Sequence, residues 1–196
     1  MSKSASLTSL SCEQILRDSG GWIAEHSEFY NGYHGDGWIE KGYIIRNPKL
    51  LNEITRRQAA AIKINFPKTN IVIGTSGCGS IVAGYVARHL KLELAITKGQ
   101  GNQMQFHRMY VPKKEKIACF VDDLIFTGTV VSENVKFLTE FGIQVSGIHC
   151  WLNRQSNKIL NVDVMHLLES PFKHYPRTDC EQCLSGTNVK FTGVRE

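Results

Sequence analysis

The sequence predicts an α/β protein with a mainly parallel central sheet flanked by helices. Three observations carry this expectation. Short apolar runs alternate with stretches of helical periodicity, the runs end in glycine- or acid-rich turns, and 196 residues with 42% hydrophobic content suit one full-sized core.

The elements follow in chain order. Ser11 with Gln14 is placed as a capping box for a first helix to about Ser19, stopped by Gly20-Gly21. Residues 26–37, rich in Gly, Asn, His and Asp, read as loop, and Trp38 to Ile45 as a short strand carrying Lys41. Asn47-Pro48 caps a helix that reaches about Asn65 and stops before Pro67. Strands are then expected at 70–75, 92–97, 116–121, 144–152 and 162–168, with helical stripes through Ile81 to Leu90 and Val131 to Phe141. The polar stretch 98–110, with two glycines and no period, reads as a mobile loop. Parallel strands joined by helical crossovers place ligands beyond the strands' carboxyl ends.

Composition excludes several classes. No run approaches the roughly 20 apolar residues that span a bilayer, and the serine-rich segment 1–11 lacks the apolar stretch of a signal peptide, so a cytoplasmic location is expected. The net charge of +5 is scattered; the one tight basic cluster, Lys113-Lys114-Glu115-Lys116, sits beside a proline and reads as a solvated turn, so no nucleic-acid partner is expected. Cysteines 119 and 150 lie in apolar runs and read as buried hydrophobes. Cys180-Glu-Gln-Cys183 lacks a second such pair and reads as a reduced thiol pair near the surface. His26, His34, His149 and His166 show no metal-ligand spacing and read as loop or packed residues, and Trp22, Trp38 and Trp151 as core or interface residues.

The segment Phe120-Val-Asp-Asp-Leu-Ile-Phe-Thr-Gly-Thr129 is the most informative. Two carboxylates, Asp122 and Asp123, follow a buried strand, and a Gly/hydroxyl turn leads into a helix. A helix N-terminus presents free N–H groups and a positive dipole end, which suits a phosphate. The carboxylates one turn away can accept bonds from sugar hydroxyls or support a hydrated magnesium ion. A polar strand end with an ordinary N-cap threonine would explain the helix start but not the acid pair. Gly74-Thr-Ser-Gly-Cys-Gly79 forms a second candidate, an anion nest of successive N–H groups. Its spacing fits neither a dinucleotide fingerprint nor a P-loop.

The segment 120–129 resembles the phosphoribosyl-pyrophosphate (PRPP) motif of type I phosphoribosyltransferases, with Phe126 and Val130 standing where that motif carries threonine. Gly35-Asp-Gly-Trp-Ile-Glu-Lys41, Trp151-Leu-Asn-Arg154 and the stretch Leu167 to Gly186 are similar to segments of one branch, the orotate phosphoribosyltransferases. The resemblance implies the type I phosphoribosyltransferase fold with a small N-terminal hood-like part (1–46), an α/β core (47–170) and a C-terminal tail (171–196) in one domain. It implies transfer of ribose-5-phosphate from PRPP to a nucleobase, orotate above others, with release of pyrophosphate, assisted by Mg2+ held indirectly by Asp122 and Asp123.

Roles are implied residue by residue. Asp122, Asp123 and Lys98 are the catalytic candidates. Phe126, Thr127, Gly128, Thr129 and Val130 take the 5-phosphate. Thr75, Ser76, Gly77, Cys78 and Gly79 hold pyrophosphate, with His107 and Arg108 closing from the loop. Lys41 and Arg154 bind the base, and a cation paired with the orotate carboxylate is sound charge logic. A homodimer is implied as well. The 98–108 loop carries fewer cations than the family's, which leaves two alternatives: a phosphoribosyltransferase for another base, or a PRPP-binding regulatory protein without turnover.

Overall fold

The structure, a computed structural model, describes Leu7 and residues 10–192. The serine-rich lead-in at 1–11, apart from Leu7, Leu10 and Ser11, lies outside the described residues. The chain forms two compact units: Met1–Arg46 with Ser170–Glu196, and Asn47–Glu169.

The smaller unit opens with α1 (Cys12–Asp18), where the Ser11 hydroxyl accepts from the Gln14 N–H and Gly20 follows at φ +79°. Then come β1 (Trp22–Ile23), β2 (Ser27–Glu28), β3 (Tyr33–Gly35), β4 (Trp38–Ile39) and α2 (Gly42–Ile45). Residues 26–37, expected to be loop, thus hold a hairpin, and the strand expected through Ile45 ends at Ile39. Strands of two or three residues are too short to leave a period in the sequence.

The larger unit begins with α3 (Pro48–Asn65), capped by Asn47, whose side chain accepts from the N–H groups of Lys49 and Leu50. It continues through β5 (Ile71–Thr75), α4 (Cys78–Leu90), β6 (Glu93–Lys98), β7 (Gln105–Phe106), β8 (Ile117–Val121), β9 (Leu124–Ile125), α5 (Thr129–Phe141), β10 (Gln144–Asn153), β11 (Lys158–Ile159) and β12 (Val162–Glu169). The remaining elements of the smaller unit are β13 (His174–Pro176), α6 (Glu181–Leu184) and β14 (Phe191–Thr192). β2, β3, β13 and β14 form one sheet in the order β13-β3-β2-β14. Both cysteines of the 180/183 pair are free, Cys180 fully buried there and Cys183 half-buried, so one of the two lies deeper than expected.

The large sheet runs β11-β12-β10-β8-β5-β6-β7. Its five principal strands are parallel, and the short edge strands β7 and β11 are antiparallel. From β5 the chain crosses to β6 on one side, then returns to β8 on the other. The order therefore reverses between β5 and β8, the place beyond whose carboxyl ends such sheets bind ligands. Phe120, Ile71, Ile73, Leu138 and Ile148, each at most 1% exposed, centre the core between this sheet and α5. No helix among the described residues is long and apolar enough to cross a membrane.

The segment 98–110 is not the periodless loop expected. It folds back so that Phe106 pairs with Thr97 across β6 and β7, and the Phe106 ring packs 5.1 Å from Phe137 and 5.0 Å from Phe141. Phe106, an aromatic in a largely polar stretch, was its trace in the sequence.

His149 on β10 is fully buried. Burial, reinforced by nearby His166, pushes its pKa down to about 4. The unfolded chain then takes up a proton below about pH 6.5 that the folded chain refuses, so stability falls as pH drops from there towards 4. The loss attributable to His149 is roughly 3 kcal/mol across that window. Thermal unfolding of the wild type and His149→Leu between pH 7 and 4.5 should diverge, the wild type losing more; parallel curves would refute the assignment.

Candidate active site

The acid pair occupies a continuous hydrogen-bonded ladder. β8 ends at Val121, paired with His149, and β9 resumes at Leu124, paired with Leu152. Between them the Asp122 N–H donates to the His149 carbonyl (3.1 Å), and the Trp151 N–H donates to the Asp123 carbonyl (2.8 Å). The pair is therefore fixed from the backbone outward rather than being a frayed polar strand end. Asp122 is 8% exposed and Asp123 2%. Their carboxylates accept the next residue's N–H, Asp122 from Asp123 at 2.9 Å and Asp123 from Leu124 at 2.6 Å.

Gln58, on the buried face of α3, braces this segment. Its amide donates to the carbonyls of Asp122 (3.2 Å) and His149 (3.1 Å), and its carbonyl accepts from the Trp151 indole (3.1 Å). Sequence reasoning did not select Gln58. The available signal was a polar residue inside the apolar stripe Leu51, Ile54, Ala59, Ile62.

The glycine-rich loop leaves β5 beside this pair. The Ser76 N–H donates to the Thr97 carbonyl (2.9 Å), and Gly77 turns the chain at φ +89° into α4. Gly79 then passes so close that a Cβ there would lie 2.7 Å from Asp122 Oδ1. The nest at 75–79 and the acid pair thus meet at the point where the strand order reverses. Ser76 and Gly77 are exposed, Thr75 and Cys78 half-buried, and Gly79 buried.

Past β9, Phe126 is half-buried and Gly128, at φ +75°, starts α5. Thr127, Thr129 and Val130 are exposed. The Thr127 hydroxyl donates to the Thr129 hydroxyl (3.1 Å) and accepts from the Thr129 N–H (3.4 Å). Hydroxyls and first-turn N–H groups therefore cluster at the positive end of the 13-residue α5. Phe126, which stands where the motif has threonine, is held by its carbonyl to the Gln155 amide and lies under the Arg154 guanidinium, 5.0 Å from ring centroid. The Arg154 N–H donates to the Ile125 carbonyl (2.9 Å), so Arg154 stands at the end of β10, next to the acid-bearing strand.

Lys98 follows Thr97, the residue paired with Thr75, and is exposed at the same carboxyl edge. The His107 N–H donates to the Ile96 carbonyl (3.1 Å), which sets His107 beside the last residues of β6, and Arg108 follows in an exposed turn. Lys41 belongs to the smaller unit, at the N-cap of α2.

No protein-family model matches the sequence. Over 182 residues the chain is 25% identical to the orotate phosphoribosyltransferase of Chlorobium phaeobacteroides (strain BS1), covering 92% of this chain and 93% of that protein. With that of Campylobacter jejuni subsp. jejuni (serotype O:23/36, strain 81-176), identity is 26% over 204 residues, covering 95% and 99%. Among solved structures, orotate phosphoribosyltransferase from Aeropyrum pernix superimposes with a TM-score of 0.69 at 17% identity, covering 80% of this chain and 92% of that one. Adenine phosphoribosyltransferase from Saccharomyces cerevisiae superimposes with a TM-score of 0.63 at 15% identity, covering 80% and 99%.

Gln58→Leu should lower unfolding free energy by about 2–4 kcal/mol, because it deletes three bonds and strands the Trp151 indole N–H. Denaturant titration checks this, and a loss under about 1 kcal/mol would show that the brace is dispensable. The chain has the type I phosphoribosyltransferase fold, and its resemblance to orotate phosphoribosyltransferases extends over more than nine-tenths of its length.

Proposed function

We propose that the chain transfers ribose-5-phosphate from PRPP to a nucleobase with release of pyrophosphate, and that the base is orotate. The observation that carries the reading is the meeting of two phosphate-type cradles with one fixed acid pair. A nest at 75–79 and a helix N-terminus at 127–130 flank Asp122-Asp123, and PRPP has a phosphate at each end of a diol-bearing ribose.

In this reading Thr127, Gly128 and Thr129, with the backbone at Phe126 and Val130, hold the 5-phosphate. Asp122 and Asp123 accept bonds from the ribose hydroxyls, and Thr75 to Gly79 hold the pyrophosphate. The bond between the anomeric carbon and the pyrophosphate oxygen breaks, the electron pair leaves with pyrophosphate, and a ring nitrogen of the base bonds to that carbon as its proton is lost to solvent. Positive charge at the anomeric carbon is stabilised by the fixed carboxylates, and negative charge on the leaving group by Lys98 and the N–H groups of the nest. Adjacent, nearly buried carboxylates are hard oxygen donors that suit a hydrated Mg2+, which when bound would neutralise pyrophosphate charge. Arg154 supplies the cation for an anionic base. The resemblance alone gives Lys41 a share in that role, and it alone implies a homodimer.

A second reading, a PRPP-binding protein without turnover, is favoured by the packing of 98–110. With Phe106 in the core, the segment is anchored to the sheet, and its cationic residues are Lys98, His107 and Arg108.

The deciding assay is product formation from PRPP and Mg2+ with orotate, uracil, hypoxanthine or adenine. Orotate should be consumed with stoichiometric pyrophosphate release, and Arg154→Ala should lower kcat/KM for orotate by about 10–100-fold through loss of a charge-assisted bond. Turnover of another base alone would overturn the orotate assignment, and PRPP binding without any turnover would establish the second reading.

A further inference from the structure

A second constellation lies in the smaller unit, and the transfer reaction makes no use of it. His26 immediately precedes β2, His34 lies in β3, Cys180 is the N-cap of α6, and Cys183 is inside α6. The antiparallel pairing Ser27↔Gly35 and Glu28↔His34 puts the two histidines on one face of the hairpin as diagonal neighbours. One turn of helix sets the two cysteines against them. The four ligand atoms all lie within 4.8 Å of one another.

We propose that His26 Nε2, His34 Nδ1, Cys180 Sγ and Cys183 Sγ form a structural zinc site. Four of their six separations come near a tetrahedron's edges, and all six are within 4.8 Å. With Zn–N at about 2.0–2.1 Å and Zn–S at about 2.3 Å, the edges are about 3.3 Å between nitrogens and about 3.5 Å between nitrogen and sulfur. The structure has 3.0 Å between the nitrogens of His26 and His34, 3.3 Å from Cys180 to His26, and 3.6 and 3.3 Å from Cys183 to His26 and His34.

Ordinary hydrogen bonding does not account for this packing. His26 Nδ1 lies 2.9 Å from the Thr187 carbonyl, which can only accept, so Nδ1 carries the proton and Nε2 of the neutral ring presents one lone pair. Three groups crowd that lone pair, and it can satisfy one of them. A central cation satisfies all four ligands at once. An imidazole whose far nitrogen donates to a backbone carbonyl is the usual outer support of a metal-bound histidine.

The donor set selects the metal. Two thiolates and two imidazoles in a tetrahedron suit zinc, and four protein ligands leave no open position, which marks a structural site. Binding expels one proton from each thiol, so two thiolates balance the dication. His26 and His34 are 2% and 1% exposed, Cys180 is fully buried and Cys183 half-buried, so three of the four ligands are shielded from water. A metal here ties the C-terminal residues 174–187 to the β2–β3 hairpin, beside the β13–β3 pairing and the bond from the Lys190 N–H to the His26 carbonyl. A unit assembled from residues 1–46 and 170–196 is of the size, under roughly 70–80 residues, at which a hydrophobic core alone is marginal and a staple is common. The second ligand pair, sought as another Cys-x-x-Cys, is instead a pair of histidines brought together by a hairpin.

The test is metal content and ligand chemistry of the full chain, purified reduced and without added metal or chelator. Elemental analysis should find about one zinc per chain. Replacement with Co2+ should give thiolate-to-cobalt charge transfer and the intense ligand-field bands of a tetrahedral site. Cys180→Ser with Cys183→Ser should abolish both, Cys12→Ser should change neither, and chelation should lower Tm by more than about 5 °C. If the double variant does not fold, the cobalt spectrum of the wild type still decides. Absence of zinc with no uptake by the reduced chain, a Cys180–Cys183 disulfide in the purified protein, or full zinc retention in a folded double variant would each overturn the site.

Discussion

The organisation of the larger unit depends on one backbone constraint: the ladder between β8, β9 and β10 does not break at Asp122-Asp123. Two buried carboxylates at a loose strand end would move to solvent, since an ionised acid is costly to bury without partners. Here the backbone on both sides of the pair is bonded to β10, and Gln58 ties the carbonyls of Asp122 and His149 to α3. Each carboxylate then takes the N–H that follows it. The charges are held in place before any ligand arrives, which is the preorganisation that charge-stabilising sites require.

From that fixed pair the neighbouring segments take their positions. Gly79 can approach Asp122 because it has no side chain, and the nest at 75–79 is thereby drawn against the acids. β9 delivers the chain to Gly128, whose positive φ starts α5. β10 carries Arg154 to the same edge, stacked on Phe126. The replacement of a motif threonine by Phe126 therefore has a structural counterpart: the ring supports a guanidinium.

The sheet and its motifs were legible because long parallel strands and amphipathic helices leave strong periods. β5, β6, β8, β10 and β12 and the helices α3, α4 and α5 fall close to where apolar spacing predicts them. What stayed hidden depends on contacts distant in sequence. Gln58 acts on residues 64 and 91 positions away. Phe106 reads as part of a polar loop until α5 is packed beside it. His26 and His34 have no ligand spacing along the chain, and a hairpin of very short strands, followed by a turn 146 or more residues later, brings them to the cysteines.

The account rests on Asp122 and Asp123 being the ribose-binding acids of a PRPP site. Calorimetric titration of PRPP with Mg2+ into the wild type, Asp122→Asn and Asp123→Asn tests this most directly, with Tm recorded for each. The account predicts that the wild type binds and that each variant binds about 10–100-fold more weakly while remaining folded. Unchanged affinity in both folded variants would contradict it.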